Sequence, residues 1–161
     1  LDFRPEYLPA KSLQIEMFEA QLELARISSK PIVLHLVRSH PEAIQILDLW
    51  GLPDRGGMVH SFNGDWEKAK NYLDLGLSIS VGGAVTFEKN KALQQAVKMI
   101  PAECLILETD SPDQASESFK GKLHPPMALI EIAKKISSIT QRDWQEILDR
   151  NRENLRQLFQ L

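Results

Sequence analysis

The chain has 161 residues, 43% hydrophobic and 25% charged, the make-up of a globular protein with a core to bury rather than of a disordered or collagen-like chain. A formal net charge of −3 excludes the strongly basic surface of a protein that holds nucleic acid by Lys and Arg alone. A single cysteine, Cys104, excludes an internal disulfide, and no apolar run approaches the roughly 18 residues of a membrane span, so a reducing, cytoplasmic setting is expected.

The first residue is Leu1 rather than Met, so the sequence reads as beginning part-way through a protein or after processing. Leu13, Met17, Ala20 and Leu24 recur at helical spacing, widened by Ile15, Phe18, Leu22 and Ala25, and predict a helix over 11–28 packed on a core. Ser28 to Pro31 break it. Ile32 to Leu36 is a short β-branched run, expected to be a strand buried on both faces. Pro41 to Leu49 reads as a helix with proline in its first turn. Met58 and Val59 lie in a second strand, and Asp65 is expected to cap a helix that ends at Gly76. Leu77 to Val81 is a third strand closed by Gly82-Gly83. Lys91 to Ile100 is helical, and Leu105 begins a fourth strand. A loop rich in Pro, Ser and Gly covers about 112–126, followed by helices near 127–137 and 143–159.

This alternation predicts an α/β fold with a parallel sheet covered by helices, about four βα units plus an extra C-terminal helix, within one domain over residues 1–161. Strands are expected near 32–35, 57–60, 77–81 and 105–109, parallel and adjacent in chain order.

His35 ends the first strand, His60 the second, and Asp110 follows the fourth, so all three would lie at the C-terminal edge of the sheet, where α/β folds carry their chemistry. Imidazole and carboxylate bind divalent ions such as Zn²⁺ and Mn²⁺. Such a cluster activates water and neutralises phosphate charge, and a carboxylate beside it takes a proton. Taken singly, each residue has a plainer role: a strand-end histidine is commonly a solvated or hydrogen-bonding group, and an aspartate before Ser-Pro a turn former or helix cap. Arg38, Ser61 and Asn63 are weaker candidates for substrate contact. Gly82-Gly83 permits close approach of a ligand, or is simply a tight turn. His40 and His124 read as loop residues, Cys104 as core, and Trp50, Trp66 and Trp144 as helix packing.

Several collinear motifs then resemble those of the TatD family of metal-dependent hydrolases. Leu1-Asp2-Phe3-Arg4 resembles the end of its GEIGLD-type motif, and PIVLH (31–35) the strand that follows. HSFNG (60–64) resembles its H-x-F-x-G, ETDSP (108–112) a highly specific signature, and NLRQLF (154–159) its closing N-x-x-x-L-F. The resemblance implies the C-terminal part of a (β/α)₈ TIM-type barrel, an incomplete barrel whose first three strands and most of the fourth lie outside this chain. It implies two divalent metal ions (Mg, Mn or Zn) per complete site, and deoxyribonuclease activity on a DNA substrate. It carries His35, His60 and Asp110 over as metal ligands, with Asp110 also the catalytic residue that deprotonates water, and Glu108 as support for the site.

The family's H-x-H pair and the Glu of GEIG have no counterpart here, and LVRSHP after His35 departs from the Arg-rich family pattern. Four strands of a barrel would also leave two open edges. Two alternatives remain at this point: an amidohydrolase-type barrel acting on C–N or ester bonds, or a non-catalytic half-barrel that serves as a binding module.

Overall fold

The computed structural model describes residues 1–161. Four strands, β1 (Ile32–His35), β2 (Gly57–His60), β3 (Ser78–Val81) and β4 (Leu105–Leu107), form one parallel sheet in the order β1-β2-β3-β4. Helices α1 (Lys11–Ile27), α2 (His40–Trp50), α3 (Trp66–Asp74), α4 (Lys91–Met99), α5 (Leu129–Thr140) and α6 (Trp144–Phe159) complete the fold. The expected strands, their order and their direction hold, although β4 ends at Leu107, before the ETDSP residues. No helix is long and apolar enough to cross a membrane.

Local chemistry sets the boundaries. The Asp65 carboxylate accepts from Lys68 N at 3.1 Å and opens α3, and Asp143 accepts from Gln145 and Glu146 N to open α6. Gly57 is required at the start of β2: a Cβ there would lie 2.4 Å from both Cγ1 and the carbonyl oxygen of Ile32 on β1. In-register pairing from Ile32↔Gly57 to His35↔His60 then places the two strand-end histidines side by side.

The core lies between the sheet and its helices. Ile79, Val81 and Leu107 of the sheet, Tyr72 of α3, Leu93 and Val97 of α4, and Ile132 and Ile136 of α5 are almost fully enclosed. Burying a side chain of this size contributes about 1.5–3 kcal/mol.

Three expectations need correction. β1 is not buried on both faces: burial alternates along it, and Val33 is 51% exposed. In α1 the core-facing residues are Leu22 and Ala25, while Leu13, Met17 and Leu24 are exposed. The apolar band of that helix is wider than the surface the sheet offers it, so one side extends past the β1 edge. Nor are both sheet edges open. On the outer side of β4, Asn154 Nδ2 donates to the carbonyls of Ala102 and Leu105 at 2.8 Å each. Asn151 Oδ1 accepts from Leu107 N at 2.9 Å. The amides of α6 thus satisfy the outward backbone groups of Leu105 and Leu107. On the outer side of β1, Leu1–Phe3 run parallel to residues 35–37 through Phe3 N to Val37 O (2.8 Å) and Val37 N to Leu1 O (2.9 Å). The tryptophans pack as expected except Trp50, which is 38% exposed.

Candidate active site at the C-terminal edge of the sheet

His60 is oriented by Glu108. Glu108 Oε2 lies 2.8 Å from His60 Nδ1 and accepts from Ser80 Oγ at 2.6 Å, while Oε1 accepts from Ser61 N at 2.5 Å. A carboxylate only accepts, so Nδ1 carries the hydrogen and the lone pair of Nε2 is free. That Nε2 faces Asp110 Oδ1 at 3.6 Å. The His35 ring stands beside His60, with centroids 5.8 Å apart and planes inclined by 31°.

Asp110 does not cap a helix. Its carboxylate faces His60 on one side, and its Oδ2 accepts from Gln114 Nε2 on the other. Gln114 Oε1 in turn accepts from Ser61 Oγ at 2.5 Å, so Gln114 latches Asp110 to the loop after β2. The backbone turns sharply here. Arg38, Ser61, Asp110 and Gln114 all have φ between 47° and 55°, a left-handed conformation that costs an L-residue about 1–2 kcal/mol.

His35, His60, Asp110 and Ser61 are therefore brought together. Asn63 stands to one side, with Oδ1 accepting from Asn90 Nδ2 at 2.8 Å. Arg38 is exposed at the same edge. Gly83 makes room for a neighbouring loop. A Cβ there would lie 2.5 Å from the carbonyl oxygen of Gln114 and 2.8 Å from Ser116 N, so it lets the loop bearing Asp110 cross close over β3.

Ser80, Gln114 and His124 were not marked by the sequence as parts of the site. Ser80 had a readable signal, a hydroxyl in the apolar run LSISV. Gln114 had none, since it sits in irregular loop. His124 is 1% exposed, with Nδ1 2.9 Å from the carbonyl of Thr109. Its backbone N donates to Pro112 O, and its carbonyl accepts from Ser111 Oγ at 2.6 Å. It buttresses ETDSP from behind.

The donor set suits a divalent ion in part. An oriented imidazole with a carboxylate behind it is a common arrangement in metal sites, and two ligands about 2 Å from a shared ion lie about 3–4 Å apart, as Nε2 and Oδ1 do. No three His, Cys, Asp or Glu side chains come together closely enough to hold an ion by themselves. The residues fit a metal as part of a ligand set.

A family model described as TatD related DNase matches residues 1–160. An uncharacterized metal-dependent hydrolase of Haemophilus influenzae is 34% identical over 146 residues, covering 91% of this chain and 55% of that protein. The 3'-5' ssDNA/RNA exonuclease TatD of a Rahnella species is 34% identical over 167 residues, covering 100% and 63%. The crystal structure of YjjV, a TatD homolog from Escherichia coli, superposes with a TM-score of 0.93 at 28% identity, covering 100% of this chain and 61% of that one. The chain thus spans 55–63% of the length of these proteins.

Proposed function

This chain belongs to the TatD-related DNase family, and from that premise we propose that it carries half of the site of a metal-dependent hydrolase that cleaves phosphodiester bonds in DNA. Residues 1–161 are read as one domain, the C-terminal part of a (β/α)₈ barrel. The exposed Leu13, Met17, Leu24 and Val33 beside the outer edge of β1 support that reading, because further βα units would cover them. The Rahnella relative's name supports a nucleic-acid substrate.

His35, His60 and Asp110 would hold divalent ions, two in the complete site, with further ligands supplied from outside this chain. When bound, such ions acidify a water and neutralise phosphate charge. Within the chain, Glu108 keeps His60 in the tautomer whose Nε2 is free to bind. Gln114 fixes the rotamer of Asp110, and the Asp110 carboxylate would take the proton of the attacking water. Arg38 is at hand for the phosphate oxygens, and Ser61, whose hydroxyl hydrogen goes to Gln114, joins it only by releasing that bond.

The observation that carries this reading is the approach of a Glu108-oriented His60 Nε2 to Asp110 Oδ1. The test is Asp110→Asn in the full-length protein, assayed on labelled single-stranded DNA with Mg²⁺ or Mn²⁺. Activity is expected to fall at least about 10²-fold, as for the loss of a general base, with an unchanged circular dichroism spectrum. Asn keeps the shape of Asp without its charge, so a folded variant with near-parental activity would refute the assignment.

A further inference from the structure

Beside the candidate site lies an open cleft of about 530 Å³, walled in part by Asn63, Phe87, Lys89, Asn90 and Gln114. It is continuous with the reacting edge, because Gln114 both lines it and donates to Asp110. No carboxylate lines it, although the chain as a whole is acidic. The nearest acid in sequence, Glu88, is taken up by Lys91 and Lys135, which leaves Lys89 as the charge of the wall.

The amides are arranged for a ligand edge. Asn90 Nδ2 spends its hydrogens on Asn63 Oδ1 (2.8 Å) and the carbonyl of Ala84 (3.1 Å). That leaves Asn90 Oδ1 as an acceptor and Asn63 Nδ2 as a donor on the two joined amides. Phe87 is only partly buried and offers a ring. A stacking ring, a neighbouring donor and acceptor, and an uncompensated cation match the parts of a nucleotide: a base face, a base edge and a phosphate.

Resting on the reading of the site given above, we propose that this cleft is a subsite for one nucleotide of a single strand, the unit next to the phosphodiester held at Asp110. Phe87 stacks the base, Asn63 and Asn90 meet its edge, and Lys89 takes the outer phosphate.

The test reads binding without metal, so that it is independent of hydrolysis. Thymidine 5′-monophosphate, thymidine and single-stranded (dT)₄ are titrated in EDTA into the uniformly ¹⁵N-labelled protein, and backbone amide shifts are followed. Saturable shifts are expected at residues 63 and 87–90, with (dT)₄ binding more tightly than the monophosphate. Phe87→Ala is expected to weaken both at least about fivefold, the lower end of the cost of one lost base stack. Lys89→Ala should weaken the monophosphate and leave thymidine unchanged. The amide spectrum reports folding, and Phe87→Leu, which keeps apolar bulk without the ring, replaces Phe87→Ala if that variant unfolds.

Absence of saturable shifts at these residues overturns the subsite, as does affinity indifferent to both substitutions. Binding of the mononucleotide but not of (dT)₄ overturns the strand assignment. Hydrolysis by the full-length parent protein, which is also the one titrated, is measured separately with Mg²⁺ or Mn²⁺. Cleft binding without hydrolysis refutes the proposed function and leaves the subsite standing, while hydrolysis without cleft binding refutes the subsite alone.

Discussion

Glu108 serves three donors with two oxygens, and its charge matters more than its shape. In Glu108→Gln the single amide oxygen satisfies Ser61 N only if the NH₂ group turns toward His60 Nδ1 and Ser80. His60 must then accept at Nδ1 and carry its hydrogen on Nε2, where the lone pair facing Asp110 had been. The expected result is a change of His60 tautomer in the ¹⁵N spectrum of the metal-free chain, together with a loss of metal affinity or activity of about 10–100-fold. Retention of the Nδ1–H tautomer in a folded Gln variant would show that Glu108 does not set it. Strain at the residue scale follows the same geography. Of the non-glycine residues with positive φ, Ser29, Gln141 and Gln160 stand at helix C-termini, where such a conformation is ordinary. Arg38, Ser61, Asp110 and Gln114 gather instead at the strand-end edge. Gathered strain of this kind is what a functional edge would show.

Between elements, α2 and α3 are joined by a polar latch. Tyr72 Oη, in a fully buried side chain, lies 2.7 Å from His40 Nδ1. Burial pushes the tyrosine hydroxyl well above its ordinary range, so it stays protonated and donates to a neutral imidazole. Burial also holds His40 below its ordinary value of 6.5, and the charge of Lys68 adds to this while Asp65 opposes it. The unfolded chain therefore takes up the His40 proton at a higher pH than the folded one does. Stability from this group is fully present above about 6.5. It falls as pH drops from there toward the lower folded value. Urea unfolding at pH 7.5 and pH 5 is expected to show a smaller pH-dependent loss in His40→Phe than in the parent. Identical losses in the two proteins would remove His40 from the account.

Across the whole molecule, the two sheet edges are treated differently. β4 is closed by Asn151 and Asn154 from α6, both buried, whereas β1 is covered only at its C-terminal end by Leu1–Phe3. Asn154→Leu would leave the carbonyl of Leu105 without its side-chain donor, while that of Ala102 keeps the backbone amide of Leu105. A buried group stripped of its partner costs about 1–3 kcal/mol. The variant is expected to lower the free energy of urea unfolding by about 1–3 kcal/mol, and Asn151→Leu, which strips Leu107 N, by a similar amount. A change within about 0.5 kcal/mol, the usual range of an unremarkable surface substitution, would mean that the α6 amides do not close this edge.

The sequence by itself determined the order of elements, the parallel sheet and the edge on which His35, His60 and Asp110 meet. These depend on local periods and on the alternation of β-branched runs with helical stripes, which are properties of consecutive residues. It also announced the family, because ETDSP and HSFNG are short contiguous strings. Only the tertiary structure decided which face of α1 is buried, since an apolar band shows that a face exists but not how much sheet there is to cover it. The same holds for Asn154, legible as a motif letter yet acting through carbonyls 49 and 52 residues away. Ser80, Gln114 and His124 joined the site for one physical reason: a hydrogen bond reads distance in space, and their partners Glu108, Ser61 and Thr109 are 28, 53 and 15 residues away and come within about 3 Å only on folding.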